Sequence, residues 1–334
     1  MKIVIDGFGG DNSPEEIVKG CILSLEKDKD INLVITGNEV KLKNLLTEYG
    51  YDGDKIEIVD AKEIITNEES PTEAIRTKKN SSLVVAFDYL NKNEDAKGFV
   101  SAGSTGAVLT GSVLMLRRIR GINRPALCPL LPTKTGKNVL LIDCGANSDP
   151  KPLNLQQFGI MGTAFMKAVE GVANPRVGLL SNGTEDKKGN ALTKEAFPLL
   201  KEANINFLGN IEAREILSGD LDVVVSDGFS GNIALKGCEG TALTMFSLIK
   251  DGIMKGGLRA KLGYMLLKPV FKGIKNSMDY NNKGGAVLLG LEKLVVKSHG
   301  SSKATSICSS ILQVKQLIDS NVVDKIKGEF ISVK

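Results

Sequence analysis

A short buried strand followed at once by a glycine-rich turn and a helix is the feature that most constrains this fold. The stretch Asp222–Lys236 reads DVVVSDGFSGNIALK, in which three valines precede the turn Asp227–Gly231 and helix-permitting residues resume at Asn232. A run of β-branched residues of this kind is typical of a buried strand. The turn should leave backbone N–H groups free at the start of the following helix, a place that binds anions, phosphate above all.

The same strand-and-turn arrangement recurs along the chain. Further strands are predicted at Lys2–Asp6, Ile31–Thr36, Ile56–Val59, Gly98–Val100, Asn138–Ile142, Arg176–Leu180 and Leu294–Lys297, the last before a C-terminal helix. Polar turns rich in Gly, Ser, Asp and Asn follow at 7–11, 101–107, 143–147, 181–189 and 298–302. Because the carboxyl ends of strands in a mostly parallel sheet gather at one edge, these turns should meet there. We expect one α/β unit over residues 1–334, with or without two lobes.

Composition limits the functions that such a chain can have. Of its 334 residues 42% are hydrophobic and 25% charged, the mix of a soluble globular protein. Aromatic residues make up 5% and Trp is absent, so binding of single-stranded nucleic acid by aromatic stacking is disfavoured. No nucleic-acid partner is expected. The net charge of +4 permits an acidic partner or an anionic surface without requiring either.

Cysteine and histidine usage argues against disulfides and metals. The five cysteines are scattered, which suggests a reducing compartment. His299 is the sole histidine, so no zinc site is expected. The chain opens on a strand and not on a signal peptide, and its longest uncharged run, 98–116, is too polar for a membrane span. These features favour the cytoplasm.

The first turn invites comparison with a dinucleotide-binding site. Gly7–Asp11 follows a strand, and Ser13–Glu16 carries an N-cap, a proline for the first helical position and a Glu that completes a capping box. The third glycine of the fingerprint is missing, however, and Ile31–Thr36 ends without the acidic residue that binds ribose. A nicotinamide-dependent dehydrogenase is kept as an alternative, and no cofactor is expected.

The segment Lys255–Lys275 departs from this pattern. At helical spacing, one apolar face is formed by Leu258, Leu262, Met265 and Leu266. A neighbouring basic stripe is formed by Lys261, Lys268, Lys272 and Lys275. Pro269 is expected to divide the segment into two short helices. Such an amphipathic pair could lie on an anionic membrane or pack as a surface or dimer helix pair, and the sequence leaves both open.

The polar turns suggest a phosphate-bearing substrate without naming a reaction. His299 lies in a Ser-His-Gly-Ser turn without a nucleophile elbow, which does not support a serine triad. Asp227 is a candidate base, an orienting group or an Asx-turn residue, and Lys236 could face either phosphate or solvent. Phosphate held by helix N-termini and a lysine could itself attack an acyl carbonyl, while the protein orients it and stabilises the oxyanion.

Several ordered motifs together identify a known family. They are Asp6–Asn12 with Pro14, Arg76–Ser82, Ser101–Ala107, Arg124–Ala126, Asp143–Asn147 with Lys151–Pro152, Gly183–Asn190, Asp227–Asn232, Gly284–Gly285 and Ser298–Ser302. In these the chain resembles, nearly end to end, the bacterial phosphate acyltransferases of phospholipid synthesis. It departs from their pattern at Gly7–Phe8, where Ala-Met is expected, and at Ser104, where Asn is expected; both departures bear on fine positioning only.

The resemblance implies a fold, substrates and partners. The fold would be a three-layer α/β/α sandwich with a mostly parallel sheet, similar to phosphotransacetylases and isocitrate-dehydrogenase-like proteins, in a homodimer. The substrates would be acyl-acyl-carrier protein and inorganic phosphate, with no cofactor and no metal. The acyl-phosphate product would pass to a membrane glycerol-3-phosphate acyltransferase, and the protein would bind the inner face of the membrane peripherally. A non-enzymatic scaffold that binds membrane or carrier protein is the remaining alternative.

With this activity in view, three groups of residues are predicted. The catalytic residues would be Lys188, Asn182, Asp227, His299 and Lys236. Phosphate and substrate would be bound by Gly9, Gly10, Asp11, Ser101, Gly103, Thr105, Gly106, Asn147, Gly228, Phe229, Gly231, Asn232, Ser298 and Ser301. The helix pair at 255–275 would face the membrane through Leu258, Leu262, Met265, Leu266, Phe271, Lys268 and Lys272.

Overall fold

Two β-sheets form the centre of the molecule in a computed structural model that describes residues 1–278 and 284–331. The strands are β1 (Lys2–Asp6), β2 (Asn32–Gly37), β3 (Ile56–Asp60), β4 (Ala96–Ser101), β5 (Ala126–Cys128), β6 (Leu130–Pro132), β7 (Asn138–Ile142), β8 (Arg176–Ser181), β9 (Asn206–Glu212), β10 (Val223–Val225), β11 (Ala286–Leu289) and β12 (Leu294–Lys297). The first sheet has the order β3-β2-β1-β4-β12-β11-β5, and the second has the order β6-β7-β10-β8-β9.

Helices connect and cover the strands. They are α1 (Glu15–Lys27), α2 (Glu39–Glu48), α3 (Pro71–Thr77), α4 (Ser82–Lys92), α5 (Thr105–Met115), α6 (Pro152–Val169), α7 (Ala191–Glu202), α8 (Gly228–Lys255), α9 (Gly257–Met278), α10 (Ala304–Asp319) and α11 (Val322–Ile331). Most neighbouring strands run parallel; the antiparallel pairs are β11 with β12, β11 with β5, and β6 with β7. Parallel strands need such helical crossovers, so the predicted α/β class with parallel-dominated sheets is confirmed.

Alternating residues of the strands face two helix layers. Ile3 and Ile5 belong to one buried cluster, while Val4, between them in β1, belongs to the other. Each cluster also contains residues of the second sheet, such as Ile142 in the first and Leu141 in the second. The two sheets therefore share one core with helices on both sides, which is the three-layer arrangement that the family resemblance implied.

Most strands predicted from sequence patterns begin and end within one or two residues of the observed bounds. Lys2–Asp6, Asn138–Ile142 and Leu294–Lys297 have the predicted bounds. The patterns gave no sign of β5 and β6, because three residues are too few for any periodicity. In β9 the alternation is interrupted by Gly209, whose φ is 106°.

The predicted capping box before α1 is wrong. The helix begins at Glu15 with Pro14 as its N-cap residue and without a side-chain cap. The Ser13 hydroxyl instead donates to the Gly10 carbonyl at 2.8 Å, and the Glu16 carboxylate accepts from the Ala304 N–H at 2.9 Å. The Ser13 side chain thus closes a turn within its own loop, and the Glu16 side chain caps the first residue of α10.

The prediction that Pro269 splits the 255–275 segment is also wrong. Pro269 lies inside the single helix α9, and the chain breaks earlier, at Gly256 and Gly257. Gly257 has a φ of 73°, a conformation that glycine adopts without steric cost and that ends α8. The result is a hairpin of two long helices, which we call the α8–α9 hairpin. No helix in the described ranges is both long and apolar enough to cross a bilayer.

Burial of side chains predicts where truncation costs stability. Phe158 on α6 is fully buried in the hydrophobic cluster that contains Ile3 and Ile5, so Phe158→Ala should lower the free energy of unfolding by about 3–5 kcal/mol. Leu258 on α9 is 87% exposed, so Leu258→Ala should stay within about 0.5 kcal/mol of the parent. Urea unfolding followed by circular dichroism measures both, and equal losses would contradict this assignment of the core.

Candidate active site

The loops that follow β1, β4 and β12 meet because these three strands are neighbours in the first sheet. The Asp11 N–H donates to the Gly300 carbonyl at 2.9 Å, and the Asn12 amide donates to the Ser301 carbonyl at 3.1 Å. The Ser298 N–H donates to the Ser101 carbonyl at 2.9 Å. The structure therefore places side by side the predicted site residues Gly9, Gly10, Asp11, Ser101, Gly103, His299, Ser298 and Ser301. We call this group the first cluster.

A buried carboxylate holds the first cluster together. Asp6 accepts hydrogen bonds from the hydroxyls of Ser82 at 2.6 Å and Ser101 at 2.7 Å. Burial raises the pKa of Asp6, and these two hydrogen bonds partly offset the rise. Gly9 lies against this carboxylate; a Cβ there would be 2.7 Å from the Gly103 nitrogen and closer still to Asp6. Only glycine fits the position.

Lys297 is a buried cation that the sequence analysis missed. It is the last residue of β12, is 7% exposed, and donates from Nζ to the carbonyls of Ala102 and Ser298. Burial lowers the pKa of Lys297 to about 8, while the carboxylates of Asp6 and Asp11 act in the opposite direction. Its one sequence signal was a lysine closing the apolar run LVVK directly before the His299 turn.

The N-terminus of α5 opens beside this lysine. Its N-cap residue is Ser104, whose side chain accepts no cap hydrogen bond. The N–H groups of Thr105, Gly106 and Ala107 have no acceptor among the residues that the structure describes. Unpaired N–H groups at the positive end of a helix dipole attract anions. Thr105 and Gly106, both predicted to bind phosphate, are two of the three residues with unpaired N–H groups at this helix end.

The end of β7 carries a second buried carboxylate. Asp143 accepts from the N–H groups of Leu127 at 2.9 Å, Ala146 at 3.1 Å and Asn147 at 2.7 Å, and from the Asn147 side-chain amide at 2.9 Å. Burial raises its pKa, and the hydrogen bonds from Asn147 oppose the rise. The Asn147 amide also donates to the Pro125 carbonyl at 2.8 Å. Its amide N–H groups thus order the loop.

The N-terminus of α8 differs from that of α5, because the chain itself occupies it. Asp227 accepts at Oδ1 from the N–H groups of Phe229 at 3.0 Å and Ser230 at 2.7 Å, and Gly228 donates to the Asn147 carbonyl at 2.7 Å. The helix consequently begins at Gly228 and not at Asn232. The expectation that this turn leaves its N–H groups free is wrong, and Asp227 is the Asx-type cap that was one of its three alternatives.

The three other residues predicted around this turn have distinct places. Gly231 packs on the Asp143 backbone so closely that a Cβ would overlap the carbonyl oxygen. The Phe229 side chain is 62% exposed, and Asn232 is exposed as well. Gly228, Gly231 and Asp227 thus fix α8 against the loop after β7, whereas Phe229 and Asn232 face outward.

A cavity of about 490 Å³ lies between the end of β8, the start of α7 and α8. Asn182 and Asp227 both line it, together with Ser181, whose buried hydroxyl has no hydrogen-bond partner in the described part of the chain. Lys188 belongs to the adjoining loop; its N–H donates to the Glu185 carbonyl at 2.9 Å, and its side chain is exposed. We call this group the second cluster.

Two predicted catalytic side chains remain. His299 is exposed, and its Nδ1 accepts from the Ser301 N–H at 3.2 Å, so in the neutral ring the proton resides on Nε2. Lys236 on α8 pairs with Glu239 at 2.8 Å, and its charge helps to lower the pKa of the buried Lys297. The charge of Lys236 on α8 is therefore near enough to Lys297 to act on it.

Comparison with known proteins gives the family. A family model described as "Fatty acid synthesis protein" matches residues 1–325. A phosphate acyltransferase from Clostridium novyi is 47% identical over 328 residues, covering 98% of each chain. Another from Halothermothrix orenii is 49% identical over 331 residues, again covering 98% of each chain. This chain belongs to the phosphate acyltransferase family.

Solved structures share the fold at much lower identity. A phosphotransacetylase from Streptococcus pyogenes has a TM-score of 0.64 at 18% identity, covering 96% of this chain and 94% of its own. A 4-hydroxythreonine-4-phosphate dehydrogenase from Salmonella typhimurium has a TM-score of 0.53 at 13% identity, covering 95% and 99%. Both structures confirm the fold predicted for this chain, and at these identities they support nothing more.

Proposed function

We propose that this protein transfers the acyl group of acyl-acyl-carrier protein to inorganic phosphate and so forms acyl phosphate for phospholipid synthesis. The observation that carries the proposal is the unpaired N-terminus of α5 beside the buried Lys297. The Ala102 carbonyl, which accepts from Lys297 Nζ at 3.4 Å, is three residues before Thr105, the first of the three residues whose N–H groups are unpaired. An inorganic phosphate bound at this point would satisfy the N–H groups and the charge together.

The reaction then needs no protein nucleophile. A phosphate oxygen attacks the thioester carbonyl carbon, a C–O bond forms, and collapse of the tetrahedral oxyanion breaks the C–S bond. The carrier thiolate leaves and takes a proton. Fixing phosphate against the carbonyl supplies orientation, and donors aimed at the oxyanion lower the barrier further. The hydroxyls of Ser82 and Ser101 are engaged with Asp6, which suits a supporting role.

The other predicted residues receive roles by position. The Nε2–H of neutral His299 is available to donate to the thioester oxygen or to protonate the thiolate. Asn182, which lines the 490 Å³ cavity, is a second donor to the thioester. Lys188 and Lys236 supply positive charge at the edge of the site, suited to phosphate and to an acidic carrier protein. Asp227 orients α8 through its cap.

The α8–α9 hairpin presents an extended apolar surface for a second proposal. Leu258, Leu262, Met265 and Leu266 are 87%, 57%, 62% and 74% exposed. Apolar surface of this extent usually marks a membrane or protein contact. With the exposed Lys268 and Lys272, this surface suits peripheral binding to the inner face of the membrane, where a glycerol-3-phosphate acyltransferase would receive the product, or the interface of a homodimer.

Two residues of the segment differ from that picture. Phe271 is half-buried; its ring lies 5.6 Å from the Tyr264 ring and lines a groove against α8, so it does not face outward with the leucines. The side chain of Lys275, assigned to the basic stripe, lies outside the described residues.

Incubation of the purified protein with acyl-acyl-carrier protein and phosphate tests the function. Acyl phosphate, trapped as its hydroxamate, and free carrier thiol should appear in equal amounts, and neither should form without phosphate. Thiol release in the absence of phosphate would indicate a hydrolase, and no release at all would favour the scaffold alternative. Trapping of a kinetically competent acylated side chain would contradict direct attack by phosphate.

Lys297 predicts a specific pH dependence. Because burial lowers its pKa to about 8, the cation is present below that pH and is lost as pH rises through it. The kcat/KM for phosphate, which reports the free enzyme, should therefore fall above about pH 8. Lys297→Met should lower this value about a hundredfold and abolish the high-pH limb.

Lys293→Met is the matched control for this prediction. Lys293 lies at the other end of the same strand region, where its Nζ donates to the Ala96 carbonyl at 2.6 Å, away from the first cluster. The control variant should retain the kcat/KM for phosphate within a factor of two. If Lys297→Met also retained it, Lys297 would have no role in binding phosphate.

If the hairpin binds the membrane, replacing exposed leucines of the hairpin should weaken vesicle binding, whereas replacing an exposed leucine elsewhere should not. Leu258→Glu with Leu266→Glu should reduce co-sedimentation with phosphatidylglycerol vesicles at least tenfold while activity on soluble substrate is retained. Leu208→Glu changes a side chain of β9 that is 55% exposed and belongs to neither helix of the hairpin, so this variant should bind like the parent. A double variant that binds vesicles normally but becomes monomeric in light scattering would identify this face as a dimer interface.

A further inference from the structure

A second cavity, of about 630 Å³, lies between α8, α9 and the short turn that follows β9. Arg214 and Thr241 are the polar side chains of its lining, which is otherwise apolar and includes Leu217, Phe246 and Phe271. We call it the hairpin groove. A cavity of this size and lining is suited to an apolar ligand. Burial of methylene groups against apolar walls is favourable, whereas a polar ligand would find few hydrogen-bond partners there.

The hairpin groove continues from the 490 Å³ cavity of the second cluster. Ala213 and Ala234 line both cavities, so the two meet at these side chains. One cavity contains Asn182 and Asp227, and the other is apolar. A ligand that spanned both would therefore carry a polar group at one end and a hydrocarbon tail at the other.

The groove has the length of a fatty acyl chain. Its α8 wall is formed at helical spacing by Ala234, Cys238, Thr241, Met245 and Ile249, which places these residues on one face of the helix. From the first to the last of them the helix rises about 22 Å at 1.5 Å per residue. An extended fatty acyl chain is of comparable length.

We infer that the hairpin groove binds the hydrocarbon tail of the acyl donor, with the thioester in the adjoining cavity. This inference rests on the proposed function for the identity of the ligand. The tail is the occupant favoured by the structure because the groove leads directly from the cavity lined by Asn182 and Asp227, where the thioester is proposed to lie. Each methylene group buried there should improve binding about fourfold, so the groove makes the enzyme selective for long acyl chains.

Two glycines of α8 provide a test with a matched control. Gly237 lines the groove and Gly240 does not, yet a Cβ at either position meets no atom within 4 Å. A leucine at either site also favours the helix more than glycine does, so both variants should fold. Gly237→Leu fills the groove, whereas Gly240→Leu places the same side chain outside its lining.

The expected result is a change in chain-length preference. Gly237→Leu should lower kcat/KM at least tenfold for a palmitoyl donor and less than twofold for a butyryl donor on the same carrier protein. Gly240→Leu should leave both values within twofold of the parent. Equal losses for the two donors with Gly237→Leu, or no loss for either, would overturn the inference.

Cys238 gives a readout that does not depend on turnover. It lines the groove and is partly exposed, whereas the other four cysteines are buried, so a maleimide should react with Cys238 first. An S-hexadecyl pantetheine thioether has no transferable acyl group. When it is added at a concentration below its critical micelle concentration, it should lower the rate of Cys238 labelling at least fivefold. An S-butyl thioether at the same concentration should not.

The two readouts separate failure of the groove from failure of the proposed function. If the hexadecyl probe protects Cys238 but the protein forms no acyl phosphate, the groove binds an acyl tail and the proposed reaction is wrong. If acyl phosphate forms but the probe gives no protection, the proposed reaction is correct and the inference that the groove binds the tail is wrong. Protection by vesicles alone, or protection that grows with protein concentration and not with the probe, would identify a membrane or a second copy as the occupant and overturn the inference.

Discussion

Asp6 lies at the carboxyl end of β1 with its carboxylate removed from water, and the first cluster is arranged around it. Its two short hydrogen bonds from Ser82 and Ser101 fix the start of α4 and the end of β4 relative to β1. A buried carboxylate is costly unless such partners satisfy it. Removal of the Ser101 hydroxyl would take the donor from Oδ2, whereas removal of the Ser82 hydroxyl would leave Oδ1 with only the Phe8 N–H at 3.4 Å. Gly9 has to be glycine because a Cβ there would overlap this carboxylate and the backbone nitrogen of Gly103.

Asp143 does the same for the second sheet. It is another buried carboxylate at the end of a parallel strand, and four N–H donors converge on it, three from the loop after β7 and one from β5. One of these donors is on Leu127 of β5, a strand of the first sheet, so the hydrogen bond joins the two sheets. The Asn147 carbonyl then receives the Gly228 N–H and fixes the start of α8. The two carboxylates therefore position both halves of the site before any substrate binds.

The sequence predicted most of this geometry and missed its electrostatics. Strand ends and polar turns could be read from patterns of valine and glycine, and the neighbouring order of β1, β4 and β12 then brought the predicted residues together. Lys297 could not be found in that way, because its burial depends on β12 lying between β4 and β11. A lysine at a strand end looks the same in sequence whether it faces solvent or the core.

The errors at the helices have a similar origin. Asp227 was recognised as a possible cap, yet only the structure shows that its carboxylate and the Asn147 carbonyl already occupy the N–H groups of the first α8 turn. Pro269 should break a helix by its local chemistry, but α9 continues through it, and the true break is made by Gly257. The family resemblance supplied the reaction, which none of the turns specified by itself.

Helix α8 connects three environments along about 42 Å of its axis at 1.5 Å per residue. Its first turn is fixed to Asp143 and Asn147 in the site, its middle forms a wall of the hairpin groove, and its far end carries Met254, which is 58% exposed. A tail bound in the groove would lie between the reacting carbonyl and the apolar end of the hairpin. An acyl phosphate made there would keep its hydrocarbon next to the surface proposed to contact the membrane, so the product could leave toward lipid without its tail crossing water. The same helix would then both hold the substrate and direct the product.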